Sequence, residues 1–259
     1  MIRAAVAPLI AISLVSSSAP AANYNKRDFA VAIDVGHSPE KSGAISARGS
    51  TEYSFNQRLA VRILSELCAR GFSDSFIVEN RDKSMDLFER TARASQKHAR
   101  LFLSIHHDSV QPQFFSSWTY GGHLRLYSDH FHGYSIFYSE RNQAPGASLE
   151  FCRLLGTELL ASGLTPSFYH AAKIPGENRD LVDPQRGIYR FDNLVVLRTA
   201  QMPAALLEAG VIVNRNEEVR LLKPGYQQKI AIAVANAVEC FWRDTVTREP
   251  VREATKPAD

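Results

Sequence analysis

The chain has 259 residues, 45% of them hydrophobic and 22% charged, with a formal net charge of +3. That composition argues against disorder or a fibrous repeat, and the length suits one domain. The charge is too small, and Lys and Arg too scattered, for a nucleic-acid-binding surface.

Residues 1–21, "MIRAAVAPLIAISLVSSSAPA", join a short basic start, an apolar run and small residues around Ala19-Pro20-Ala21. This is the pattern of an export signal cut after Ala21. The run falls short of the roughly 20 residues a spanning helix needs, and no later segment exceeds it. The expected mature chain is exported and has no transmembrane span.

"FAVAIDV" (29–35) reads as a strand. The spacing of Phe55, Leu59, Ile63 and Leu67 predicts a helix from Glu52 to Arg70, with Ser50 or Thr51 as its cap and Gly71 past its end. "DSFIVEN" (74–80) predicts a strand, 86–98 a weaker helix and "LFLSIH" (101–106) a buried strand. After an irregular stretch over 107–133, residues 134–140 read as a strand and 148–162 as a helix. A second irregular stretch, 163–192, precedes two apolar strands, "NLVVLR" (193–198) and "AALLEAG" (204–210). A short helix from "NRNEEVRLL" and a closing helix with Ile230, Val234, Val238 and Phe241 on one stripe complete the domain, 22–243. Residues 244–259 are expected as a polar tail.

Strands alternating with helices predict an α/β fold: a mostly parallel, twisted sheet of about six strands with helices on both faces. Cys68, Cys152 and Cys240 lie on helix-like segments without C-x-x-C spacing. They read as buried small residues, with one bridge left open.

Ligands in such sheets gather beyond the carboxyl ends of the strands. His37, His106 and Glu208 each end an apolar run, so one sheet edge can collect them. Two imidazoles and a carboxylate are a usual catalytic zinc set. Glu52 can be the carboxylate if the Gly/Ser/Pro-rich loop from 38 to 51 folds back, but its place also suits plain support of the helix dipole. Strand alternation sends His106 and His107 to opposite faces without choosing between them. Glu208, inside "PAALLEAGVI", needs a metal, a donor or a cation such as Arg198. His123, His130 and His132 fit no closed metal site and read as loop residues.

Five blocks in order carry a resemblance: "IDVGH" (33–37), Glu52 opening a helix, "FLSIHHDS" (102–109), "VLR" (196–198) and "MPAALLEAGVIVNRNEE" (202–218). Together they resemble the zinc-dependent N-acetylmuramoyl-L-alanine amidases of the bacterial cell wall, of the amidase-3 type, from about Phe29 to Trp242. The resemblance implies one zinc ion held by His37, Glu52 and His106, with Glu208 as catalytic carboxylate. The implied substrate is peptidoglycan, cut at the amide between the lactyl group of muramic acid and L-alanine, and the implied address is the periplasm. His107 and Arg198 are candidate substrate contacts, with a supporting or packed role equally open for His107. Two departures stand out: Val35 and Ser38 replace Pro and Gly of the usual D-P-G-H-G block, and His107 follows His106. A zinc peptidase acting on the stem peptide and a non-catalytic wall-binding module are the rival readings. No wall-binding repeat is visible, so targeting falls to this domain or to a protein activator.

Overall fold

The computed structural model describes residues 25–78 and 86–248. The segment read as an export signal and the end of the tail lie outside the described residues. In chain order the elements are β1 (Val31–Val35), α1 (Glu52–Ala69), β2 (Phe76–Val78), α2 (Leu87–Gln96), β3 (Leu101–Asp108) and a hairpin of β4 (Ser116–Tyr120) with β5 (His123–Tyr127). They continue with β6 (Ser135–Tyr138), α3 (Pro145–Ala161), β7 (Asp180–Asp183), β8 (Ile188–Arg190), α4 (Val195–Thr199), β9 (Ala204–Val211), α5 (Arg215–Leu221) and α6 (Pro224–Arg248).

Seven strands form one sheet in the order β2-β1-β3-β9-β6-β8-β7. The block β2-β1-β3-β9 is parallel; β6 runs against β9, and β7 against β8. The reversal follows from the connection. After β3 the chain stays at the same sheet end, builds the hairpin, and bonds Ser128 N–H to the Val213 carbonyl just past β9 at 3.0 Å. β6 therefore enters the sheet from the end at which β3 left it.

Both faces of the sheet are covered. Val31, Ile33, Leu103, Ile105, Ala205 and Leu207 point into a core shared with α1, α3 and α6. Phe55, Leu59, Ile63 and Leu67 of α1 are buried there, as are Ile230, Val234, Val238 and Phe241 of α6. Each such side chain contributes about 1.5–3 kcal/mol by leaving water. Ala32, Phe102, Phe137, Ala204 and Leu206 point the other way, under α2 and α4. Thr51 caps α1, its side chain accepting from Ser54 N–H. The three thiols are unbridged; Cys152 is buried as expected, but Cys68 is exposed and Cys240 half-buried, because α1 and α6 turn those positions away from the core.

Four expectations change. The sheet has seven strands rather than about six, because residues 163–192 contribute β7 and β8. Residues 107–133 hold the hairpin. "NLVVLR" contains helix α4 rather than a strand: Val196 and Leu197 cover the sheet, while Asn142 Nδ2 donates to the carbonyls of Leu197, Ala200 and Met202 (2.7, 3.1 and 3.2 Å). An apolar run that short fits either element, and here β9 occupies the place beside β3. Finally, α6 runs to Arg248, so the first residues of the expected tail are helical.

Candidate metal centre

The carboxyl ends of β1 and β3 and the first residue of α1 meet at one point. His37 Nε2 lies 2.9 Å from Glu52 Oε2, and His106 Nδ1 lies 3.0 Å from Glu52 Oε1. One ligand atom from each of His37, Glu52 and His106 falls within 4.8 Å of the others.

The fifteen-residue gap between His37 and Glu52 closes by backbone bonds. Glu52 N–H donates to the Ala44 carbonyl at 2.9 Å and Tyr53 N–H to that of Ser42 at 3.1 Å. Ala44 N–H in turn donates to Glu52 Oε2 at 3.1 Å. The loop thus returns over the helix mouth and holds the carboxylate. Asn56, one turn along α1, donates to Glu52 Oε1 (3.2 Å) and to the Gly36 carbonyl (3.1 Å). Burial alone would raise the Glu52 pKa, but the bonds and charges of His106 and His37 win and hold it well below the usual carboxylate range.

His37 has a φ of +69°, a left-handed conformation that costs a side-chain-bearing residue about 1–2 kcal/mol. Arg90 of α2 holds it there. Its guanidinium donates to the His37 carbonyl (2.6 Å), the Val35 carbonyl (2.6 Å) and Asp34 Oδ1 (2.9 Å), while Ser104 Oγ donates to Asp34 Oδ2 (2.7 Å). Neither Asp34 nor Arg90 stood out in the sequence.

His106 shares its face with Ser104 and Phe102, and its register partner on β9 is Glu208. Glu208 is partly exposed, yet its Oε2 is enclosed and has no hydrogen-bond partner among the described residues. Its pKa is raised well above the ordinary value, first by burial and then by the Asp108 and Glu52 carboxylates. Arg198 forms no ion pair with it; the Arg198 Nε is itself buried without a partner among the described residues.

His107 points to the opposite face, 3% exposed, with Nδ1 2.7 Å from Asn56 Oδ1. Burial drives its pKa down to about 3. On that face, which α1 covers, the ring lies against Phe55 and supports Asn56, and through it Glu52. On the open side His170, from the second irregular stretch, sits between Asp108 Oδ2 (2.8 Å) and Glu177 Oε2 (2.9 Å). Burial opposes its charge, but the two carboxylates raise its pKa to about 10. A lone histidine in a loop gave no periodic signal.

The residues fit a divalent cation. Two imidazole nitrogens and a carboxylate oxygen are a donor set for zinc. The surrounding backbone is cut to size: a Cβ on Gly36 would strike the His106 ring, and one on Gly43 (φ +74°) would strike the Glu52 carboxylate and lie 2.6 Å from His37 Cδ2. Glu208 leaves an unsatisfied oxygen on the same face as His106.

The chain is similar to known proteins in sequence and in fold. A family model described as N-acetylmuramoyl-L-alanine amidase matches residues 31–240. The chain is 29% identical over 212 residues to YqiI of Bacillus subtilis, an uncharacterized protein, covering 82% of this chain and 84% of that one. It is 26% identical over 235 residues to the N-acetylmuramoyl-L-alanine amidase AmiA of Escherichia coli, covering 87% and 80%. In fold it is similar to the N-acetylmuramyl-L-alanine amidase Ami1 from Mycobacterium smegmatis, with a TM-score of 0.66 at 22% identity over 85% of this chain and 99% of that one.

Proposed function

Because the chain belongs to the N-acetylmuramoyl-L-alanine amidase family, we propose that it is a zinc hydrolase cutting the amide between the lactyl group of N-acetylmuramic acid and L-alanine in peptidoglycan. The observation that carries this is the meeting of His37, Glu52 and His106, with Glu208 in register beside His106 on β9.

His37, Glu52 and His106 would hold one zinc ion, which when bound supplies Lewis acidity toward the scissile carbonyl and an attacking water. Glu208 takes the proton of that water and returns it to the departing alanine nitrogen, so one carboxylate serves as base and then as acid. Asn56 and the Ala44 N–H orient Glu52, and Arg90 fixes the backbone of His37. Such supporting partners set ligand orientation.

Export with cleavage after Ala21, and action in the periplasm, fit a wall substrate and rest on residues 1–21. Among the described residues no helix is long and apolar enough to cross a membrane. Digesting purified peptidoglycan should expose new amino groups on L-alanine, with activity lost to a chelator and restored by zinc. Amino groups appearing only within the stem would favour a peptidase, and no release at all with zinc bound would favour a binding module.

A further inference from the structure

The β4–β5 hairpin stands beside the metal loop and is tied to it. The Trp118 indole N–H donates to the Ala47 carbonyl at 3.0 Å, and the guanidiniums of Arg48 and Arg215 lie 5.3 and 5.2 Å from the Trp118 ring centre. Directly across the ladder from Trp118 is Arg125. Its guanidinium packs on the turn at Gly49, where a Cβ would lie 2.6 Å from Arg125 Cζ. Arg48, Arg90 and Arg215 each face a carboxylate. Arg125 faces none among the described residues, and its Nε is enclosed without an acceptor. Withdrawing part of a guanidinium from water with no anion to meet it is costly. Among the described residues nothing offsets that cost.

Arg125 lines a cleft of about 390 Å³ with Ala44, Ile45, Ser109, Phe115 and Leu124. Two lining residues link the cleft to the metal centre: Ala44 bonds Glu52 through its N–H, and Ser109 follows His106 by three residues along the chain. Its aliphatic wall is open to solvent, with Leu124 75% and Ile45 47% exposed. An apolar lining with one convergent charged group is the usual make-up of a small-ligand site.

We propose that Arg125 binds the free carboxylate on the stem-peptide residue after L-alanine, while the aliphatic wall receives the methyl groups flanking the scissile amide. The assignment deepens the amidase reading and rests on it. A guanidinium fork matches a carboxylate with two parallel N–H···O bonds. The stem offers such a group a short reach beyond the bond that is cut, and no carboxylate of the protein competes for the fork among the described residues.

The test uses the zinc-loaded, full-length protein and L-alanyl-γ-D-glutamyl-L-lysinamide, with the glutamate α-carboxylate free or converted to the amide. Calorimetry reads the affinity of these product peptides, and their N-acetylmuramoyl forms serve as substrates. The native protein should bind the acid peptide about tenfold or more tighter than the amide, and Arg125→Gln should bind both alike. On the acid substrate Arg125→Gln should lose a similar factor in kcat/KM through KM, with kcat little changed and the amide substrate unaffected. Arg125→Lys keeps the packed stem and the charge without the planar fork, and should retain a smaller gap. Equal affinity of the native protein for acid and amide overturns the proposal, as does a loss in both variants shared equally by the two ligands. An intact affinity gap with no hydrolysis of either muramoyl compound would sustain the Arg125 site and count against the amidase reading.

Discussion

Replacing Arg90 by Met removes the guanidinium that spans Asp34, the Val35 carbonyl and the His37 carbonyl, and leaves a carboxylate buried. The Arg90 and Asp34 side chains are 5% and 2% exposed, so solvent screens little of the loss. Ser104 Oγ still donates to Asp34 Oδ2, but one neutral hydrogen bond does not balance a buried charge. Breaking one partner of a buried pair costs about 3–5 kcal/mol, a large share of the roughly 5–15 kcal/mol that holds a domain folded. The second effect is local: without Arg90 the left-handed backbone at His37 loses its restraint, so zinc should bind more weakly. Guanidinium unfolding of metal-free protein reads the first quantity, and competition with a zinc-binding dye reads the second. Adding Asp34→Asn removes the orphaned charge and should recover at least about 1 kcal/mol of stability, since contacting residues couple. A single variant that loses under about 1 kcal/mol and binds zinc like the parent would refute this account of the loop.

Glu208→Gln should keep one zinc per chain by elemental analysis yet lose about 10²–10⁴-fold in kcat, the usual worth of a positioned base; retained turnover removes Glu208 from the chemistry. His106→Gln should lose the metal while His107→Gln keeps it at some cost in stability, because His107 supports Asn56 from the far face of the sheet; the reverse pattern would exchange their roles. The folded-state pKa of His170, about 10, lies above the ordinary 6.5, so its stabilising charge is fully present below pH 6.5 and lost as pH rises toward 10. Relative to His170→Gln, native stability should fall by about 1.4 kcal/mol per pH unit across that window, and parallel denaturation profiles would contradict the buried imidazolium.

Much of the site was legible because strand ends announce themselves. Runs closing on His37, His106 and Glu208 pointed to one sheet edge, and the ordered family blocks singled out His37, Glu52 and His106, whose side chains come together in the structure. Periodicity could not choose between His106 and His107, since a strand covered on both faces is apolar in both directions. Only the register with Glu208 and the closure of the other face by α1 separated them. Arg90, Asn56 and His170 were silent for another reason: each is placed by at least one bond to a group 20 or more residues away, and nothing local distinguishes such a residue from a surface one. The second irregular stretch concealed β7 and β8, four and three residues long and partly polar, which become strands only by pairing with β6 and each other. Helix α4 was misread because its apolar residues resemble a short core strand until Asn142 is seen closing its carbonyl end.

The centre is held unevenly. His106 and Glu208 ride on neighbouring strands in the middle of the sheet, and their spacing cannot change without unzipping a parallel ladder. His37 and the arm covering Glu52 hang instead from a strained turn and a few backbone bonds. A cation bound there would therefore have one rigid wall and one hinged door. Its escape would be timed by excursions of residues 38–51, which would make the lifetime of the metal a property of that arm rather than of the sheet.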